Sequence, residues 1–167
     1  MRILVTGMNG QVGRELRAAD WPAGAHLIAF DREALDLGDR QTVAARVAEV
    51  APDVVVNAAA YTAVDRAEDE PETAYRVNRD GPAALAAACK DSGAALVHIS
   101  TDYVFDGTKD GPWTPEDAVR PLGTYGASKA AGEDAVRASV DRHVILRTAW
   151  VHAAHGHNFV RTMLKHG

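Results

Sequence analysis

Five short apolar runs recur along the chain, and between them the apolar residues switch to helical spacing. The runs are Ile3-Leu4-Val5, His26–Phe30, Val54–Asn57, Ala95–Ser100 and Arg142–Thr148. They are rich in branched residues and lack strict polar–apolar alternation, the pattern of strands covered on both faces in a parallel sheet. Between them, Val12, Leu16 and Ala19 predict one helix, and Val43, Val47 and Val50 another over Arg40–Val50 with Asp39 as its N-cap. Pro71 opens a helix through Asn78. Gly81-Pro82 should kink or restart it, Ala83–Lys90 completes it, and Gly93 suits its C-cap. Residues 124–139 read as a helix with Ala130, Ala131, Asp134, Ala135 and Ala138 on nearby faces, and Asn158–Lys165 as a last one. Tyr61 to Pro71 reads as a solvated acidic loop, and 107–123 as a long glycine- and proline-rich one. Strand and helix alternate without repeat or linker, so 1–167 is expected to form one α/β domain with a doubly wound parallel sheet, in the order 3-2-1-4-5.

Composition narrows the class. Hydrophobic residues at 47% and charged residues at 25% are globular values, and a net charge of −5 argues against a nucleic-acid surface. No apolar run approaches the ~20 residues of a membrane span, and Gly7 and Asn9 interrupt any signal-peptide layout at the start. Cys89, the single cysteine, sits in an alanine-rich run and reads as a small buried apolar residue. No membrane contact and a cytoplasmic location are expected.

Chemistry enters with the glycines. Gly7, Gly10 and Gly13 follow the first strand at three-residue spacing and lead into a helix. A strand, a glycine turn and a helix N-terminus offer backbone N–H groups to a phosphate, and glycine lets a pyrophosphate approach closely. Such turns also join many strands to helices that bind nothing. Asp31 closes the second strand about 20 positions on, where a carboxylate can accept from ribose hydroxyls. Arg32 beside it could instead hold a 2′-phosphate, so NADH and NADPH both stay open, and Asp31 also suits a simple turn. Ala58-Ala59-Ala60 after the third strand leave room for a ligand, or pack a helix closely. These features suit a Rossmann-like dinucleotide-binding fold.

Tyr125-Gly-Ala-Ser-Lys129 is the sharpest signal. A tyrosine and lysine four apart share one helix face. An adjacent ammonium is expected to lower the phenol's pKa, so that the pair moves protons nearer neutral pH. The helix follows strand four, which ends in Ser100-Thr101, so a hydroxyl and the pair are expected at one sheet edge beside strand one. An isolated Tyr-x-x-x-Lys is otherwise an ordinary surface pair.

Together these motifs resemble the extended short-chain dehydrogenase/reductase family. Gly10-Gln-Val-Gly13, Val56-Asn-Ala-Ala-Ala-Tyr-Thr-Ala-Val-Asp65, Ser100-Thr-Asp-Tyr-Val-Phe105 and Asn158-Phe-Val-Arg-Thr-Met-Leu164 are similar to its dTDP-4-dehydrorhamnose reductase group. The resemblance implies NAD(P)H-dependent reduction of dTDP-4-dehydro-L-rhamnose to dTDP-L-rhamnose, a precursor of cell-surface polysaccharide. The same group includes a regulatory subunit, so the alternative is a non-catalytic dinucleotide-binding module. By resemblance Tyr125 is the acid, Lys129 its tuner and Thr101 the hydroxyl that orients the carbonyl. Gly10, Gln11, Val12, Asp31, Asp36, Leu37, Ala60, Tyr61 and Thr62 would line NADPH or NADH, while Asp102 and Trp150 would lie near the sugar nucleotide. Some members hold Mg²⁺ at a dimer interface, and Glu15 matches one such carboxylate; a homodimer is implied on the same ground. The family continues for over a hundred residues into a smaller substrate domain, which these 167 residues lack, so the chain is expected to be a fragment or a short homologue with altered function. His152, His155 and His157 are read as a variable loop and not a metal site, since no carboxylate or thiol pattern accompanies them.

Overall fold

A computed structural model describes residues 1–166. Five parallel strands form one sheet: β1 (Arg2–Thr6), β2 (His26–Phe30), β3 (Val54–Asn57), β4 (Ala95–Thr101) and β5 (His143–Thr148). The doubly wound α/β class expected from the sequence holds. The observed order is β2-β1-β3-β4-β5 where 3-2-1-4-5 was expected. The crossover from β2 passes over β1, so Val54–Asn57 pairs with Ile3–Thr6 and not with β2. Leu35 and Leu37, along that crossover, are buried in the core without joining the sheet. The switch point where ligands gather in such sheets therefore lies between β1 and β3. Strand four is one strand further from β1 than expected, and its neighbours are β3 and β5.

Helix α1 (Gln11–Ala18) covers one face of β1, where Leu16 joins the cluster of Ile3, Val5 and Val56. The other face carries the main core. Val43, Val47 and Val50 of α2 (Arg40–Val50) meet Leu85 and Cys89 of α5 (Gly81–Ser92), Leu4, Val55 and Leu96 of the sheet, and Val136 of α6 (Thr124–Ser139). Asp39 accepts from the N–H groups of Gln41 and Thr42, as an N-cap should. Gly93 caps α5 in the left-handed region, at φ 76°. Burial pushes the Cys89 thiol up to about 12, consistent with an inert core residue.

Two segments differ from the sequence reading. Val64–Asp69, expected as loop, is helix α3 with Ala67 fully buried and Arg66 paired to Glu70 one turn on. Its acids are also not merely solvated. Glu68 accepts from both the N–H and the hydroxyl of Thr124 (2.7 and 2.8 Å), supplying the cap that Gly123 cannot give α6. The helix opened by Pro71 passes from α4 (Pro71–Tyr75) through a π-helical turn (Arg76–Asp80) into α5. The wider turn sits just ahead of Gly81-Pro82, where a proline ring would crowd the carbonyl four residues back. At the other end, α7 (Phe159–His166) buries no residue and leaves Phe159, Val160, Met163 and Leu164 exposed. No helix among the described residues is long and apolar enough to cross a membrane.

Candidate active site

The C-terminal ends of the strands open into a crevice of about 780 Å³. Of the residues singled out from the sequence, Gly7, Gly10, Gln11, Val12, Asp31, Arg32, Asp36, Leu37, Ala60, Tyr61, Thr62, Thr101, Asp102, Tyr125, Lys129 and Trp150 all line it. Gly13 does not. A Cβ there would lie 2.2 Å from the Gly7 carbonyl oxygen, so its smallness lets α1 sit against the glycine turn.

The glycine turn brings main chain, without side chains, to the strand ends. Gly7 holds φ 73°, and a Cβ on it would meet the Ala59 backbone at 2.8 Å, so the ends of β1 and β3 touch through bare main chain. Gly10 is the N-cap of α1 and brings no side chain to the helix's first N–H groups. Gly10, Gln11 and Val12, at that helix end, line the crevice, and a helix N-terminus favours an anion. Asp31 lines the crevice as well, and its Oδ1 accepts from Ala34 N–H (3.0 Å), which closes a turn. Arg32 lines the same wall.

The floor is fixed by an amide the sequence reading passed over. Asn78, in the π-helical turn, accepts from the N–H of Tyr61 (2.8 Å) and donates to its carbonyl (3.0 Å), holding the Ala60–Thr62 loop by both backbone groups. Its Nδ2 also donates to Ser128 Oγ, which donates to the Tyr125 carbonyl. Below them Thr6 donates to Asn57 Oδ1 (2.7 Å), and Asn57 Nδ2 donates to His98 Nδ1 (3.0 Å). That direction leaves the proton of the neutral ring on Nε2, which has no partner.

The opposite wall carries charge. Lys129 is 2% exposed and donates from Nζ to the Ile99 carbonyl (2.7 Å). Burial lowers its pKa to about 8, with Glu133 opposing the fall. The Tyr125 ring packs edge-on to Tyr103 at 5.5 Å between centroids. Here the sequence expectation needs correction: the phenol's pKa is raised, not lowered. Burial dominates, the nearby Thr101 hydroxyl offsets part of it, and Asp102 adds to the rise. The Lys129 ammonium is turned to the Ile99 carbonyl, so it does not supply the expected pull. Such a phenol keeps its proton at neutral pH. Thr101 accepts from Tyr103 N–H (3.2 Å), fixing its hydroxyl at the end of β4.

Trp150 stands at the rim with φ 52° and its ring edge-on to Phe159. The loop beyond folds back over α1. Asn158 donates to Gln11 Oε1 (2.9 Å), and His155 Nε2 lies 2.6 Å from Glu15 Oε1, so the carboxylate matched to an Mg²⁺ ligand is engaged within the chain.

The family described as RmlD substrate binding domain matches residues 1–167. The chain belongs to that family. Its relatives include a dTDP-4-dehydrorhamnose reductase of Sinorhizobium fredii, 48% identical over 99% of this chain and 55% of that protein. Among solved structures, a dTDP-4-dehydrorhamnose reductase of Clostridium acetobutylicum superposes with a TM-score of 0.95 at 44% identity, over 99% of this chain and 59% of the other. One from Bacillus anthracis, in complex with NADP, gives a TM-score of 0.95 at 39% identity, over 98% and 58%. The resemblance to the reductase group of the extended short-chain dehydrogenase/reductases therefore holds. The chain spans about half the length of the curated relatives it matches.

Proposed function

We propose that this chain forms the dinucleotide-binding and proton-donating half of an NAD(P)H-dependent reductase acting on dTDP-4-dehydro-L-rhamnose. The observation that carries the reading is convergence: Thr101, Tyr125 and Lys129 share one crevice with the glycine turn and the Ala58–Thr62 loop. Gly7, Gly10 and the start of α1 would hold the pyrophosphate, Asp31 and Arg32 the adenine ribose, and Lys129 the nicotinamide ribose. The dinucleotide, when bound, supplies a hydride for the sugar's C4 carbonyl carbon. Thr101 orients the carbonyl oxygen by hydrogen bonding. Tyr125, whose desolvated phenol holds its proton until transfer, delivers that proton to the oxygen. Asp102 and Trp150, beside Thr101 and at the rim, face the sugar nucleotide.

Residues 1–167 would then bind the dinucleotide yet turn over the sugar nucleotide poorly alone. Binding energy from the remote nucleotide portion positions the reacting carbonyl, and it needs contacts beyond this crevice. Two measurements test the reading. NADPH or NADH at millimolar concentration should raise the melting temperature of the chain; no shift with either refutes an intact dinucleotide site. In a longer form with measurable NADPH oxidation, Tyr125→Phe should cut kcat about 10²-fold, since the acid is lost and the ring kept. Undiminished turnover removes Tyr125 from the role. Dinucleotide binding with no reduction in any longer form would favour the binding-module alternative.

A further inference from the structure

One buried carboxylate has no part in the roles above. Glu133 follows Lys129 by one helical turn, as Lys129 follows Tyr125, so the three lie along one face of α6. It is 0% exposed. Ser100 donates to its Oε1 at 2.6 Å, Arg147 donates from Nε to Oε1 at 2.9 Å and from Nη2 to Oε2 at 2.6 Å, and Arg137 donates to Oε2 at 2.8 Å. Burial alone would raise its pKa. The bonds from Arg147, Ser100 and Arg137 overcome that and hold the carboxyl at about 2.

The carboxylate is thus fixed from three elements. Ser100 precedes Thr101 at the end of β4, and the Thr148 hydroxyl donates to the Ser100 carbonyl. Arg147, on β5, also lies over the Phe105 ring, 4.9 Å from its centroid. The charged and titratable groups facing Glu133 are Lys129 and Arg137 on α6, Arg147 on β5 and His98 on β4. His98 is neutral: burial first, then Lys129, hold it at about 3. The two guanidiniums are spent on the carboxylate itself. Lys129 is left with a carbonyl as hydrogen-bond partner and with Glu133 as the negative charge that opposes its desolvation.

We propose that Glu133 is a positioning residue of this site, a carboxylate locked behind the crevice that keeps Lys129 an ammonium where the fold would otherwise strip its charge. The inference rests on the reading of Tyr125 and Lys129 as the reductase pair, but its test needs neither cofactor nor turnover. The Lys129 ε-methylene can be titrated by NMR in the whole chain with ¹³C-labelled lysine, its signal assigned by loss in Lys129→Met. In Glu133→Gln, which keeps the shape and removes the charge, the midpoint should fall by about one pH unit from its wild-type value. Asp134→Asn makes the same charge change at the next, exposed position and should leave the midpoint in place. Should Glu133→Gln fail to fold because it strands Arg147, Glu133→Gln with Arg147→Met removes both charges and should show the same fall. A midpoint unchanged in the folded variant, or one moved equally by Asp134→Asn, overturns the proposal. Neither result bears on whether NADPH stabilises the chain, so the two readings fail separately.

Discussion

The two walls of the crevice are built from different materials. Around β1 and β3 the wall is nearly bare backbone: Gly7, Gly10, Ala58, Ala59 and Ala60, with Gly13 behind. Around β4, β5 and α6 it rests on polar side chains withdrawn from water: Ser100 and Lys129 at the crevice, with His98, Glu133 and Arg147 behind them. The first wall depends on the absence of atoms and should fail by steric crowding. The second depends on fixed charges and should fail by titration. A phosphate needs donors that approach closely, which bare backbone provides. A proton transfer needs groups whose charge is set by their surroundings, which only desolvated side chains provide.

The largest effect should come from crowding the bare wall. In Gly13→Ala the new methyl would stand 2.2 Å from the Gly7 oxygen and 2.7 Å from the Met8 Cα, both main chain, so the helix must move off the turn. A loss of about 3 kcal/mol or more is expected, at the upper end of overpacking effects, together with loss of any dinucleotide-induced rise in melting temperature. Urea unfolding measures the first and thermal shift the second. If Gly13→Ala were as stable as wild type, the account of the bare wall would be wrong.

Acid should act on the charged wall next, with a smaller and graded effect. His98 sits at about 3 in the fold against an ordinary 6.5, so as pH falls below 6.5 the unfolded chain takes up a proton that the folded one refuses, and stability declines. Glu133 sits at about 2 against 4.5; its contribution is complete above pH 4.5 and disappears as pH falls from there toward 2. Stability should therefore slip between pH 6.5 and 4.5 and fall faster below. Each proton accounts for a slope of at most about 1.4 kcal/mol per pH unit. His98→Gln keeps an acceptor for Asn57 Nδ2 and removes the titration. Urea midpoints measured across this range should flatten in the upper window and keep the lower decline. Parallel curves for the two proteins would mean that His98 is not the buried neutral group described.

The contrast also explains what could be read from the chain. The bare wall was legible because glycine and alanine at fixed spacing after a strand report a steric need directly. Only the distinction between Gly13, which packs, and Gly10, which opens to the crevice, had to wait for the structure. The charged wall was legible as residue types but not as environments. Tyr125 and Lys129 were found by spacing, yet the sign of the tyrosine shift depended on burial, which spacing does not encode. Glu133 lay one turn further along the same face. It was passed over because a glutamate in a helix is ordinarily solvated, and its partners Ser100 and Arg147 come from strands 33 and 14 positions away. The strand order failed for a related reason. Both orders give the same alternation of strand and helix, and only the pairing of Val54–Asn57 with β1 separates them. Helix α3 was hidden by its charges, whose partner at Thr124 is 56 positions distant.

The smallest effect on the fold separates the two duties of the glycine turn. Gly10 lies at φ −72° and ψ 171°, ordinary extended backbone that alanine adopts without strain. A Cβ there would approach the Gly7 oxygen to 3.3 Å, a tight contact that a shift of a few tenths of an ångström relieves. Gly10→Ala should therefore lower stability by about 1 kcal/mol or less, in line with an ordinary surface change. The methyl would, however, stand at the start of α1, where the proposed function places the pyrophosphate. Binding of NADPH, followed by calorimetry or fluorescence, should weaken about tenfold while urea unfolding barely changes. Gly13→Ala should show the reverse emphasis, with the fold failing first. If Gly10→Ala bound NADPH as tightly as wild type, the phosphate would not sit at this helix end, and the bare wall would be a packing device alone.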